Sequence, residues 1–143
     1  GVDAYLLPNI PPHLATVEFF RQVRDHLTDD GVVAINVGRA ADDYRLVEAM
    51  LATLLQVFPS AHVIEVPNSF NAVVVATAKP SESGNLLANL PQLQGDAFLY
   101  PVASQAIANL RPTQPGEIVF TDDRTTIEVM TNALIVDFVL SVD

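Results

Sequence analysis

Three neighbouring patterns in the first half of the sequence predict an α/β fold. Residues 31–37 form a short, nearly unbroken apolar run rich in β-branched residues, which is typical of a strand covered on both faces. Residues 42–58 repeat their apolar positions with the period of an amphipathic helix. Residues 62–66 and 72–78 follow as two further strands, joined by the loop 67–71. This order predicts a parallel strand–helix–strand crossover and then a hairpin.

The central helix has predicted ends as well as a predicted face. Its apolar stripe consists of Leu46, Val47, Met50, Leu51, Leu54, Leu55 and Phe58. Asp42 or Asp43 is a suitable N-cap, because a carboxylate can accept the free N–H groups of the first turn. Pro59 cannot continue a helix, so we expect the helix to end just before it.

The segments before this unit are predicted to be a strand, a stiff loop and a helix. Residues 2–7 resemble the end of an apolar strand, and prolines fix the backbone of residues 7–12. Thr16 is a good N-cap for the helix that follows. That helix has one apolar face, made of Val17, Phe20, Val23 and Leu27.

Beyond Ala78 the sequence predicts shorter elements. Short helices are expected at 85–93 and 102–110, and residues 118–120 suit either a short strand or an extended segment. A last helix is expected from about residue 125, although residues 135–142 have strand-like composition. Its predicted apolar face consists of Ile127, Met130, Leu134 and Phe138.

The length of 143 residues suits a single domain. We expect one domain over residues 1–143, with a core α/β unit at 1–78 and a C-terminal extension with helices at 79–143. The mean hydropathy is +0.31, but the apolar residues lie in segments too short to span a bilayer, which takes about 20 residues. No cysteine is present, so a disulfide scaffold and a thiolate metal site are excluded. The sequence predicts a cytoplasmic protein.

The charge of the chain limits its partners. Seven Lys and Arg against 17 Asp and Glu give a formal net charge of −10. Such a field repels nucleic acid and anionic membrane surfaces, and it attracts cationic ligands such as a small amine. An acidic surface that only aids solubility is the alternative.

Candidate site residues lie where the predicted parallel strands end. Ligands of open α/β sheets bind beyond the carboxyl ends of the strands, and the loops 3–12 and 38–41 occupy such positions. Asp3 would lie at the mouth of that cleft, where a carboxylate can take a proton from an amine or hold a cationic group. The spacing alone favours the alternative that Asp3 caps or ends the strand as an ordinary polar residue. Tyr5 can contact a ligand or pack, and the same alternatives are open for Ser69 and Phe70 in the hairpin loop.

Several chemical motifs are missing from the sequence. His13, His26 and His62 have no metal-ligand spacing, so no metal site is predicted. Neither a phosphate-binding P-loop, a G-x-G-x-x-G loop nor a G-x-S-x-G nucleophile elbow is present.

Short blocks of the sequence resemble the C-terminal half of spermidine synthase-like proteins. These are the polyamine aminopropyltransferase relatives within the Rossmann-type S-adenosylmethionine-dependent methyltransferase superfamily. The blocks occur in the family's order and are Val2-Asp-Ala-Tyr5, Ile10-Pro-Pro-His-Leu-Ala-Thr16, Glu18-Phe-Phe20, Gly31-Val-Val-Ala-Ile-Asn-Val37 and Phe120-Thr-Asp-Asp123.

The resemblance implies a partial Rossmann-type methyltransferase fold. The chain would supply strands four to seven, parallel with an antiparallel final hairpin, with helices on the faces. For the full-length protein it implies decarboxylated S-adenosylmethionine or S-adenosylmethionine as donor. The family holds its donor with a glycine-rich loop after the first strand and an acidic residue after the second. Neither lies in this chain, so no cofactor and no cofactor-binding residue are assigned to it.

The resemblance also implies roles for particular residues. Asp3 matches the aspartate after strand four that assists deprotonation of the attacking amine, and is the predicted catalytic residue. Tyr5, Ser69 and Phe70 fall in loops that line the substrate side, and are the predicted substrate-binding residues. Polyamine-using members usually have a second aspartate three positions after the first. Leu6 stands there in this chain, which counts against polyamine recognition.

Two classes of function follow from these expectations. The first is a fragment of a transferase that moves an aminopropyl or methyl group to an amine, inactive as an isolated chain. The second is a non-catalytic interaction or regulatory module with a degenerate transferase fold, and a generic α/β domain with another ligand also fits. The chain opens on Gly1 without an initiator methionine, which suggests a fragment. Because such a fragment exposes an apolar sheet edge, we expect a homo-oligomer or pairing through that edge.

Overall fold

The computed structural model describes residues 11–40, 42–124 and 126–140. Within these ranges the sheet consists of β1 (Val32–Gly38), β2 (Ser60–Glu65), β3 (Asn71–Thr77) and β4 (Leu110–Arg111). The α-helices are α1 (Val17–Asp25), α2 (Arg45–Leu54), α3 (Gly84–Asn89), α4 (Leu99–Ala108) and α5 (Ile127–Leu140). Short 3-10 turns lie at Pro12–Leu14 and Leu90–Leu93.

The strand order is β1-β3-β2-β4, and each neighbouring pair among the described strands is antiparallel. Because β3 lies between them, β1 and β2 run in the same direction without touching. The chain therefore crosses over through α2 between parallel strands and then folds back through the hairpin β2–β3. The predicted α/β class, crossover and hairpin are confirmed. The predicted strand at residues 2–7 lies outside the described residues.

One face of the sheet forms the core, and the expectation that the first strand is covered on both faces is wrong. Val33, Ile35 and Val37 are buried, whereas Val32 on the other face is 54% exposed. The buried face packs against Phe20 of α1 and the apolar stripe of α2. A nearly unbroken apolar run does not reveal this difference, because apolar side chains occur both on a covered face and on a half-open face of a sheet.

The central helix is shorter than predicted. It runs from Arg45 to Leu54 and not over residues 42–58, and turns follow it. The N-cap position is occupied by Tyr44, whose side chain makes no capping bond, so the expected carboxylate cap is wrong in its position. Asp43 acts one residue earlier: its Oδ1 accepts the backbone N–H of Arg45 at 3.0 Å.

The cap of the preceding helix is confirmed. Thr16 is the N-cap of α1, and its Oγ1 accepts the N–H of Phe19 at 3.2 Å. Thr16 itself is buried, as are Val17 and Phe20 on the face that the sequence predicted.

The C-terminal segment is helical as predicted, with shifted ends. The helix expected at 102–110 begins at Leu99 and contains Pro101 in its first turn. Proline is tolerated there because the N–H groups of the first turn make no hydrogen bond within the helix. Residues 118–120 belong to no strand or helix, and Phe120 is fully buried. The two-residue strand β4 was not predicted.

The last segment, whose sequence suited either a helix or a strand, forms the helix α5 as far as Leu140. Ile127 is fully buried and Met130 packs against the core. The side chains of Leu134 and Phe138, expected on the same face, lie outside the described part of the molecule. Among the described helices, none has both the length and the apolar character needed to span a membrane.

Candidate functional site

The carboxyl ends of β1 and β2 lie at the same edge of the sheet, because the two strands are parallel. β1 ends at Gly38, opposite Asn71, and β2 ends at Glu65, opposite Ala72. The hairpin loop 67–71 therefore stands at this carboxyl edge, where open α/β sheets bind their ligands. The loop carries Ser69 and Phe70. The other predicted site residues, Asp3 and Tyr5, lie outside the described residues.

The hairpin loop is held by its own polar groups. Ser69 Oγ donates to the carbonyl of Val66 at 2.9 Å and accepts the N–H of Asn71 at 3.2 Å. The N–H of Val66 reaches the carbonyl of Asn71 at 3.3 Å. Asn68 adopts a positive φ of 56°, a left-handed conformation that asparagine tolerates better than most residues. The hydroxyl of Ser69 thus organises the loop internally.

Phe70 is the exposed apolar group of this loop. Its side chain is 54% exposed, although a buried aromatic ring is the usual outcome in a domain of this kind. Its backbone is nevertheless fixed, because its carbonyl accepts the N–H of Arg39 at 2.8 Å. An aromatic ring on a fixed backbone at the carboxyl edge can pack against a ligand without a large loss of conformational entropy.

A cluster of charged and aromatic side chains lies beside the loop on the face covered by α2. We call Arg39, Tyr44, Glu65 and Arg111 the edge cluster. The hydroxyl of Tyr44 donates to Glu65 Oε1, and Arg111 Nη1 donates to the same oxygen at 2.7 Å. The guanidinium of Arg111 lies 3.8 Å from the centre of the Tyr44 ring, and that of Arg39 lies 5.2 Å from it. Both arginines are within the range of a cation–π contact.

These contacts shift two pKa values in opposite directions. The hydrogen bond from Tyr44 and the nearby Arg111 lower the pKa of Glu65, against the opposing effect of its partial burial. Burial, followed by the bond to Glu65, raises the pKa of Tyr44. At neutral pH Glu65 is therefore a carboxylate and Tyr44 a neutral phenol. The phenol acts as a donor within the cluster.

The edge cluster was missed by the sequence analysis. Arg39 lies in the loop 38–41, which was predicted at the ligand-binding end of the sheet without this residue being singled out, and Arg111 lies on the strand that was not predicted. Tyr44 and Glu65 have no local spacing that links them, because their contact depends on the crossover. A polar residue just after a predicted strand was the one available signal, and it applied to Arg39 alone, because Glu65 lies inside the predicted strand 62–66.

A separate cavity lies on the half-open face of the sheet. It has a volume of about 520 Å³ and is lined by β-strand residues such as Val32, Ile64 and Val75 and by residues of α3 and α4. His62 and Ser81 lie at its wall, with His62 Nε2 bonded to Ser81 Oγ at 2.9 Å. None of the edge cluster lines this cavity. It is therefore distinct from the carboxyl-edge site.

The chain is similar in sequence to a curated protein. The chain is 28% identical over 148 aligned positions to a probable polyamine aminopropyl transferase of Bifidobacterium longum (strain NCC 2705), covering 90% of this chain and 33% of that protein. The predicted resemblance to spermidine synthase-like proteins is confirmed. The chain spans about a third of the length of this curated relative. No protein-family model matches the chain.

A solved structure shows the same fold. The crystal structure of a probable spermidine synthase from Corynebacterium glutamicum ATCC 13032 superposes with a TM-score of 0.54 at 22% identity. The match covers 87% of this chain and 47% of that one. The described sheet and helices are therefore a part of the Rossmann-like fold of spermidine synthases, and the expected partial fold is confirmed.

Proposed function

We propose that this chain is the C-terminal part of a spermidine synthase-like transferase. The transferase moves an aminopropyl or methyl group from an S-adenosylmethionine-type donor to an amine. The observation that supports this most directly is the position of the loop 67–71, at the carboxyl edge of a spermidine synthase-like sheet. The sequence likeness to a probable polyamine aminopropyl transferase supports the same reaction class.

In this proposal Asp3 takes the proton of the attacking amine. An amine attacks only when its lone pair is free, so a carboxylate at the cleft that accepts the ammonium proton raises the rate. Tyr5, Ser69 and Phe70 line the acceptor side, with Phe70 offering an apolar ring to the aliphatic part of the amine. Leu6, in place of a second aspartate, suits an acceptor with fewer distal charges than a polyamine.

The donor is proposed for the longer protein and not for this chain. The described residues contain no glycine-rich loop between a strand and a helix, so they do not fit a nucleoside-type donor by themselves. We therefore expect the isolated chain to be inactive. We also propose a cytoplasmic location and the pairing of chains through a sheet edge. Sedimentation equilibrium tests the pairing.

Calorimetric titration with methylthioadenosine, the co-product of aminopropyl transfer, tests the proposal. The natural full-length protein should bind it, and the isolated 143-residue chain should fold cooperatively without binding. Asp3→Asn in the full-length protein should lower kcat by about 10²- to 10⁴-fold and leave co-product binding intact. A folded full-length protein that binds neither methylthioadenosine nor S-adenosylhomocysteine would favour the alternative, a non-catalytic module with a degenerate transferase fold.

A further inference from the structure

We infer that Arg39 is a positioning residue, which holds the loop 67–71 and the ring of Phe70 in the orientation that receives the acceptor. The structural half of this inference is that Arg39 holds the loop, and it rests on the described geometry. The catalytic half is that the held loop receives the acceptor, and it rests on the proposed transferase function. Arg39 follows β1 directly and was not among the predicted site residues.

Arg39 contacts the loop through both its backbone and its side chain. Its N–H donates to the carbonyl of Phe70 at 2.8 Å, and its Nη2 donates to the carbonyl of Ser69 at 3.3 Å. Two consecutive loop carbonyls are therefore bound by one residue. The backbone bond extends the β1–β3 ladder past its last pair, Gly38 and Asn71. The side-chain bond adds a charged donor, which is stronger than a neutral one.

The guanidinium of Arg39 is itself held by the edge cluster. It lies 5.2 Å from the centre of the Tyr44 ring, and Tyr44 is fixed in turn by its bond to Glu65. Arg111 stacks on the same ring and bonds to Glu65, so the cluster connects the loop to β4. Since each member is fixed by another, the position of Arg39 does not depend on the loop alone.

A guanidinium suits this position better than an ammonium does. Its flat surface can lie near the aromatic ring while an N–H at its edge points to the Ser69 carbonyl. A lysine can donate to the carbonyl but has no flat surface to stack. Arg39→Lys should therefore keep part of the stabilisation of the loop, and Arg39→Met should lose all of the side chain's contribution.

Amide hydrogen exchange on the 143-residue chain tests the structural half. The reporters are the amides of Val66 and Asn71, both hydrogen-bonded within the loop. Arg39→Met should speed their exchange by about tenfold, the effect of losing one charge-assisted bond, with Arg39→Lys between methionine and wild type. Arg45→Met is the matched control, because Arg45 is an exposed neighbour that bonds to Asp43. Equal exchange at Val66 and Asn71 in wild type and Arg39→Met would overturn the inference.

Steady-state kinetics of the natural full-length protein test the catalytic half. Arg39→Met should raise the KM for the acceptor amine by about tenfold, with kcat within about threefold and the KM for the donor unchanged. Arg45→Met should leave all three constants unchanged. A looser loop with an unaltered acceptor KM would show that the loop does not position the acceptor. Absence of any transfer in wild type, with the exchange effect present, would instead refute the transferase function and this catalytic role together.

Discussion

The buried hydroxyl of Thr53 on α2 accepts the backbone N–H of Phe120 at 3.0 Å, across 67 positions of sequence. The same hydroxyl donates to the carbonyl of Ala49 at 2.8 Å. The carbonyl of Phe120 accepts the N–H of Val17 at 2.9 Å. Both backbone groups of Phe120 are therefore paired, although its segment belongs to no helix or strand. These bonds join the C-terminal segment to α1 and α2.

Thr53→Val should lower the free energy of unfolding by about 1–3 kcal/mol, because valine keeps the shape of threonine but leaves the buried N–H of Phe120 without its partner. Urea unfolding measures the change. Thr53→Ser is the control, since it keeps the hydroxyl and removes only a methyl group, for a loss of about 1 kcal/mol. A larger loss in the serine variant than in the valine variant would mean that packing of the methyl group matters more at this position than the hydrogen bond to Phe120.

Truncation to alanine should change the stability of the protein by very different amounts at two phenylalanines. Phe120 is fully buried in the core, so Phe120→Ala should cost about 3–5 kcal/mol of unfolding free energy. Phe70 is 54% exposed, so Phe70→Ala should change stability by less than about 0.5 kcal/mol. Thermal unfolding of the two variants tests this difference. A large loss in Phe70→Ala would indicate that the ring supports the fold, which would weaken its assignment to the acceptor side.

The lowered pKa of Glu65 predicts a dependence of stability on acid. A carboxyl whose pKa is lower in the folded state stabilises the protein above its unfolded pKa of about 4.3. This stabilisation should be lost as the pH falls below that value and through the folded pKa. Urea unfolding between pH 7 and pH 3 should therefore show a smaller decline in Glu65→Gln than in wild type.

Tyr44→Phe tests the cause of this dependence, because it removes the hydroxyl that donates to Glu65 Oε1 and keeps the aromatic ring. Its decline in stability between pH 7 and pH 3 should also be smaller than in wild type. Identical curves for wild type and Glu65→Gln would show that the bonds from Tyr44 and Arg111 do not favour the charged carboxylate.

Local patterns predicted the elements that depend on local physics. Thr16 was identifiable as an N-cap because capping uses a side chain and an N–H three residues apart. The crossover and hairpin followed from periodicity and from the polar loop 67–71. The end of the central helix was misplaced because Leu55 and Phe58 continue its apolar stripe, yet they pack in the turns after Leu54. An apolar stripe fixes which residues are buried, and it does not fix where the helical bonds stop.

Local sequence patterns could not predict the edge cluster. Arg39 and Tyr44 come from the segment between β1 and α2, Glu65 from β2 and Arg111 from β4, and the contacts with Glu65 and Arg111 exist only after these elements have assembled. A charged residue has no periodicity that reveals its partner. The position of the loop at the carboxyl edge was therefore predictable, whereas the group that holds it there was visible only in the folded structure.

The left-handed conformation of Asn68 predicts the effect of substitutions in the loop itself. At a φ of 56°, Asn68→Ala should lower the free energy of unfolding by about 1 kcal/mol, because a Cβ is strained there and asparagine tolerates that strain better. Asn68→Gly should be neutral or slightly stabilising, because glycine adopts this φ without strain. Asn132→Ala, at an exposed position of α5, is the control and should be neutral or slightly stabilising through its helix propensity. Urea unfolding compares the three variants, and equal effects of alanine at positions 68 and 132 would argue against strain in the loop.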